Sequence, residues 1–164
     1  MSNILDVKEL AMYIVLKYKE DFNKDISSVK LNKVLYFCFA YWGSYIIFNK
    51  DFMKDSEVPS YSEILFDSKI EAWIYGAAIP EVYYLFVENK LNEYYNKDLF
   101  NEKDYLKEYL DEILEDLLDI SDFRLVEIAH QDKCWKKNWN YKYIDNSKEI
   151  NKKDIIKEYI KKYI

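Results

Sequence analysis

Glycine and proline are almost missing from this chain, with two of each in 164 residues. Two glycines exclude a Gly-rich loop that cradles phosphates. The only histidine is His130, and the only cysteines, Cys38 and Cys134, lie 96 positions apart. That inventory cannot build a zinc site of the usual Cys/His kind without several carboxylates. The acidic residues Glu112, Glu115, Asp116 and Asp119 form no Asp-x-Asp-x-Asp-Gly loop and read as a solvated helix face. A single arginine, Arg124, leaves little material for bidentate recognition of phosphate or guanine. The formal net charge of −6 disfavours non-specific nucleic-acid binding, which needs Lys and Arg to displace counterions. The longest uncharged run, Val34 to Phe48, covers 15 residues, short of the roughly 20 that span a bilayer. It is expected to be a buried core helix. No cofactor, metal, nucleic acid or membrane partner is therefore expected, and the oligomeric state is left open. The two cysteines could form one disulfide, but no leader-like run precedes the first helix, so a reducing cytoplasm is the expected compartment.

Apolar and aromatic residues are abundant. Half of the chain is hydrophobic, with 17 tyrosines, nine phenylalanines and four tryptophans. No repeat or linker-like shift in composition divides it, so residues 1–164 read as one domain with a real core. Asp6 and Glu9 form a capping arrangement for a first helix with Val7, Leu10, Ala11, Ile14 and Tyr18 on one face, ending near Glu20. Ser28 is the expected cap of a second helix. Its stripe is Leu31, Val34, Leu35, Cys38, Trp42 and Tyr45, with Tyr36, Phe37 and Phe39 filling the other side, a pattern that predicts a central position. Asn49 to Tyr61 reads as a loop containing Pro59. Ile64-Leu65-Phe66, a turn at Asp67-Ser68, and Ile70 onward read as a hairpin. From Ile70 to Tyr75 the residues alternate, with Ile70, Ala72 and Ile74 on one side and Glu71, Trp73 and Tyr75 on the other. Gly76 then supplies a corner reserved for glycine, and Pro80 starts a helix that turns Val82, Tyr83 and Phe86 inward.

Asn89 to Asp104 is polar. Leu106, Tyr109, Leu110, Ile113 and Leu117 define an amphipathic helix. Ser121 caps a shorter one that carries Leu125, Ile128 and Ala129 and ends near His130. Gln131 to Asn146 is a Trp- and Lys-containing segment. Asn151 caps a last helix with Ile155, Ile156, Tyr159, Ile160 and Tyr163. The expected fold is mainly α, a single helical domain with a small two-stranded β-ribbon.

Three groups invite a functional reading. His130 could work with Glu71 or Cys134 as an acid–base or nucleophilic unit, since in a continuous helix Cys134 would share its face. The simpler reading is a structural histidine near a helix C-terminus, since nothing else needed for nucleophilic catalysis is visible. The basic stretch Lys148 to Lys162 could meet a membrane surface or an acidic partner, or simply pack as an amphipathic helix. Trp135, Trp139, Tyr141 and Tyr143 form a dense aromatic group, suited to a core or to an interaction hot spot.

Leu65-Phe66, then Ile70-Glu71-Ala72-Trp73-Ile74-Tyr75-Gly76, then Ile79-Pro80-Glu81-Val82-Tyr83 resembles the central motif of the Panacea (SocA-like) antitoxin domain. Asp6-Val7 with Ala11, Tyr13 and Ile14 resembles that family's opening helix. Lys30 to Phe37 resembles its second helix. Ser121, Leu125, His130 and Trp135 resemble its late block, and Ile155 and Tyr159 its closing helix. The chain departs from the family pattern at Ala77 (usually proline), Ala129 (usually threonine) and Asn32 (usually glutamine). The resemblance implies a small helical protein that is not an enzyme and neutralises a cognate toxin by direct binding. It also implies phage or prophage carriage for many members and, for some, delivery of the partner to a host protease. A phage-encoded inhibitor of a host defence protein is the alternative on the same domain. An enzyme using His130 and Glu71 is the competing class. With this resemblance, the expected partner-binding residues are Trp73, Tyr75, Glu81, Tyr84, His130, Trp135 and Trp139.

Overall fold

The first helix, α1 (Val7–Phe22), is capped as expected: the Asp6 carboxylate accepts the Lys8 N–H at 2.8 Å. It runs two residues past Glu20 and closes where Asn23 takes a left-handed φ of 55° and donates its N–H to the Lys19 carbonyl. Helix α2 (Ser28–Phe48) is capped by Ser27 rather than Ser28. The Ser27 Oγ accepts the Lys30 N–H at 3.0 Å, which makes Ser28 the first helical residue. The computed structural model describes residues 4–50, 61–139 and 148–163. Most of the expected Asn49–Tyr61 loop, including Pro59, lies outside them, as do Tyr141 and Tyr143.

Residues 30–40 are buried without a break, so α2 is the axis of the fold, as its all-round apolar pattern predicts. No helix among the described residues is long and apolar enough to cross a membrane. Gly43 shows how closely a neighbour approaches α2. A Cβ there would lie 2.6 Å from Ile156 Cγ1 and 3.0 Å from the Glu63 carbonyl oxygen.

Leu65 and Phe66 do not form the first arm of a hairpin with Ile70. Both are fully buried, which two adjacent residues of a half-exposed strand cannot be. The Leu5 N–H bonds to the Leu65 carbonyl at 2.8 Å, and Leu5 bridges Phe66 in parallel. The hairpin is instead β1 (Glu71–Trp73) and β2 (Gly76–Ala78), antiparallel, with Ala72 opposite Ala77 and Ile74-Tyr75 at the turn. Gly76 has φ 108°, the conformation expected of it. The ribbon is also wider than two strands. β3 (Lys148–Glu149) pairs with the other edge of β1, giving the order β2-β1-β3.

Pro80 occupies the first turn of α3 (Pro80–Val87). Val82 is buried there, while Tyr83 and Phe86 are half-buried. A short 3-10 turn, Leu91–Tyr94, follows, and Leu91, Leu99 and Phe100 anchor the otherwise polar stretch in the core. Helix α4 (Asp104–Leu117) buries Leu106, Leu110, Leu114 and Leu117 and exposes Glu112, Glu115 and Asp116. Helix α5 (Asp122–Ala129) is capped by Ser121, as expected, and ends before His130. Helix α6 (Lys133–Asn138) lies within the segment read only as Trp- and Lys-containing. In α7 (Lys152–Tyr163), Asn151 caps as expected, its Oδ1 accepting the Lys153 N–H at 2.8 Å. Ile155, Ile156 and Tyr159 are buried, so this part of the basic stretch packs as an amphipathic helix.

One buried carboxylate ties α2, α6 and α7 together. Asp132 is fully buried. Its Oδ2 accepts the hydroxyls of Tyr159, at 2.7 Å, and Tyr36, and its Oδ1 pairs with the Lys162 ammonium. Burial and the neighbouring carboxylate push both phenols well above the ordinary tyrosine range. Glu158 extends the cluster, accepting the Lys133 and Cys134 N–H groups at 2.7 and 2.8 Å. Burial works against its charge, but these N–H bonds and Lys162 hold its pKa below the usual value. Removing one member of such a cluster leaves the others buried and unpaired. Asp132→Ala is expected to cost about 3–5 kcal/mol. Tyr36→Phe removes one donor and is expected to cost about 1 kcal/mol. Urea denaturation of the two variants checks this, and equal losses would contradict the assignment of Asp132 as the hub.

Candidate functional site

The hairpin carries the most exposed apolar groups near the sequence-predicted residues. Ile74 and Tyr75 at its turn are 60% and 59% exposed, and Tyr84 on α3 is 56% exposed. Trp73 is half-buried behind them. Its ring meets Tyr83 edge-on at 4.9 Å and lies 6.3 Å from Tyr84. Its indole N–H donates to Glu71 at 3.0 Å. The alternation predicted from Ile70 to Tyr75 therefore holds as far as Trp73, with Ile70 and Ala72 buried, and stops where Ile74 turns outward.

His130 and Trp135 grip the hairpin from behind. The Trp135 indole N–H donates to the Trp73 carbonyl at 2.7 Å. His130 Nε2 lies 2.9 Å from the Ile74 carbonyl, and since a carbonyl only accepts, Nε2 carries the proton in this bond. The imidazole stacks on Trp135 at 4.4 Å, and Trp135 on Trp139 at 5.9 Å. Trp135 is buried and Trp139 half-buried, so this aromatic row supports the surface more than it forms it.

Glu81 stands apart. It bonds Lys8 at 2.8 Å and Ser68 at 2.5 Å, and the Lys8 bond lowers its pKa. It ties α3 to the start of α1. His130, Glu71 and Cys134 are not assembled as an acid–base unit. The helix breaks between His130 and Lys133, His130 faces Ile74, and Glu71 holds Trp73. Cys38 and Cys134 are both buried free thiols, not a disulfide. Burial pushes the Cys134 thiol up to about 12. Among the described residues no group of three or more His, Cys, Asp or Glu side chains is placed to hold a metal ion.

Helix α2 holds the other strand. Lys33 is 2% exposed, and its ammonium donates to the Ala77 carbonyl at 2.8 Å. Burial lowers its pKa to about 7. The neighbouring Asn32 accepts the Ile79 N–H at 2.9 Å. A Cβ on Gly76 would sit 2.9 Å from Lys33 Cε and 3.0 Å from the Ala129 Cβ. Side chains from α2, α5 and α6, with His130, thus converge on the backbone of Trp73, Ile74, Gly76, Ala77 and Ile79.

The family model for the SocA-like antitoxin, Panacea domain, matches residues 52–136, just over half of the chain. The chain belongs to this family. The match takes in the hairpin, α3, α4, α5 and part of α6. The resemblance seen in Lys30 to Phe37 and in the closing helix lies outside it. No curated protein and no solved structure matches the chain. Asn32, Ala77 and Ala129 all lie in or beside the hairpin. Asn32 bonds the Ile79 N–H, Ala77 offers its carbonyl to Lys33, and Ala129 abuts Gly76.

The structural role of Lys33 and Asn32 was not legible as such, because a lysine in an apolar helical stripe signals nothing about a strand 44 residues away. Two outcomes test these contacts. Gly76→Ala combines strain at positive φ with two close contacts and is expected to lose about 1–3 kcal/mol. An unchanged melting temperature would contradict it. Lys33 holds fewer protons when folded than when unfolded between about pH 7 and the ordinary lysine pKa of 10.5. Its contribution to stability therefore rises with pH through that window and is lowest below pH 7. Relative to Lys33→Met, the wild type is expected to gain stability from pH 6 to pH 9 in paired urea titrations. A pH-independent difference would count against a desolvated amine.

Proposed function

We propose that this Panacea domain is the antitoxin of a toxin–antitoxin pair, neutralising a cognate toxin by stoichiometric binding without turnover. The observation that carries the reading is the mounting of Ile74 and Tyr75. Both side chains face solvent, while the backbone carbonyls of Trp73 and Ile74 are fixed by Trp135 and His130. Exposed aromatic and aliphatic groups on a fixed backbone lose little freedom on binding, which is the economy of a preorganised interface. Tyrosine also adds large contact area with a hydrogen-bonding tip. Tyr84 and the edge of Trp73 extend the same surface, and family membership supports a toxin as the partner. In this role Tyr75 and Tyr84 contact the partner, Trp73 bridges surface and core, and His130 and Trp135 act as positioning residues. A net negative charge would steer a basic toxin towards the domain.

The test begins with co-purification against the product of the adjacent gene. Inhibition is expected to saturate at a fixed molar ratio. Tyr75→Ala and Tyr84→Ala are each expected to weaken binding by about tenfold or more with melting unchanged, as interface hot spots do. His130→Ala is expected to bind less tightly because the turn loses one of its two anchors. Sub-stoichiometric, time-dependent inactivation that disappears in His130→Ala would replace the binding reading with an enzymatic one.

A further inference from the structure

The net charge hides a strong division along the chain. Residues 1–132 carry 26 acidic and 14 basic side chains, and residues 133–164 carry four and ten, so the formal charge of −6 separates into −12 and +6. In the fold, much of the basic part is gathered at one place. An open groove of about 570 Å³ runs between α6 and α7. Lys133 and Lys137 line it from α6, and Lys157 and Lys161 from α7. Each pair is spaced i, i+4, so each helix offers two ammonium groups one turn apart on one face, roughly 6 Å at the Cβ atoms. All four lysines are exposed. The two acids in the groove wall are already engaged. Glu158 caps α6 and lies 3.3 Å from Lys162, and Asp154 lies 3.9 Å from Lys137. Lys133, Lys157 and Lys161 have no acidic partner among the described residues.

A matching counterpart stands elsewhere on the same molecule. Helix α4 and the turn after it expose Glu108, Glu112, Glu115, Asp116 and Asp119. None of them pairs with a base among the described residues; the one ion pair on this helix joins Lys107 to Asp111. Glu108 and Glu112, and Glu115 and Asp119, repeat at i, i+4, the same interval as the lysines. The buried side of α4 is fixed by its leucines, so this acidic face is held outward.

We propose that the α6–α7 groove docks the acidic α4 face of a second copy of this chain. The groove fits a helix better than a nucleic acid or a membrane. It contains no arginine for bidentate phosphate contacts, its lysines repeat at the same i, i+4 interval as the α4 acids, and it is concave where a bilayer surface needs a flat or convex face. Neither Tyr75 nor Tyr84 lines the groove.

Sedimentation velocity on the full chain tests this by charge reversal. The wild type is expected to associate at about 50 mM salt and to dissociate at about 500 mM, where screening shortens to a few ångströms. Lys157→Glu with Lys161→Glu, and separately Glu112→Lys with Glu115→Lys, are each expected to remain monomeric at low salt. An equimolar mixture of the two double variants is expected to associate again, because each restores the complement the other has lost. A folding defect could not produce that rescue. A monomeric wild type at low salt overturns the proposal, including one that binds poly-glutamate and so takes a different acidic occupant. Association indifferent to salt overturns it, and so does a mixture that stays monomeric while the wild type associates.

Discussion

A carboxylate with no access to water decides how the helices meet. Asp132 is useful where it stands only because Tyr36 from α2, and Tyr159 and Lys162 from α7, all direct donors to it. An isolated buried charge would be untenable, so the three elements are held to one arrangement. The consequences spread along the chain. With Asp132 fixed, His130 lies two residues before it and Trp135 three residues after it, and these side chains grip the carbonyls of Ile74 and Trp73. Glu158 repeats the theme, capping α6 from α7. A short helix with only six residues has little stability of its own; here its first N–H groups are satisfied by a carboxylate from elsewhere in the chain.

The tyrosine-rich composition takes on a specific meaning in this setting. Several hydroxyls work inside the protein instead of facing solvent. Tyr36 and Tyr159 serve Asp132, Tyr109 donates to the Tyr41 carbonyl at 3.0 Å, and Tyr13 donates to Asp111 at 2.5 Å. Their rings fill the space around α2, where Tyr45 stacks on Tyr109 at 4.6 Å and Trp42 meets it edge-on. A core built this way is apolar in volume but carries directional bonds, which favours one packing over its near alternatives. Tyr75, Tyr84 and Tyr95 are exposed instead, and of these Tyr75 lies at the hairpin turn and Tyr84 beside Trp73.

What could be read from the sequence was local. Asp6, Ser121 and Asn151 cap the helices they were expected to cap, because a cap is decided within three or four residues. Gly76 and Pro80 hold the conformations their chemistry prescribes. The unbroken apolar character of α2 gave away its central position. What could not be read was non-local. The Ile64–Phe66 segment has strand-like residues, but its partner is Leu5, far earlier in the chain. β3 is two residues long and has no pattern of its own. Helix α6 owes its start to Glu158. The candidate surface divides the same way. Trp73, Tyr75 and Tyr84 could be picked out as aromatic residues beside a turn, but nothing in the local sequence distinguished them from His130 and Trp135, which hold the backbone beneath.

The closeness of α7 to α2 at Gly43 also bears on the order in which the molecule can form. The contacts that complete Asp132 join residues 96 positions apart on one side and 30 on the other. They close only after residues 148–163 are present to supply β3, Tyr159 and Lys162. Until then the outer edge of β1 has no strand beside it, and Asp132 lacks its cation. The hairpin can pair with itself early, since its strands are joined by two residues, but its support is assembled from long-range contacts that form slowly. A chain growing from its N-terminus therefore makes α2 and the hairpin before His130, Trp135 and the helix that completes Asp132. The full mounting of the hairpin would arrive late and abruptly, with the docking of α7.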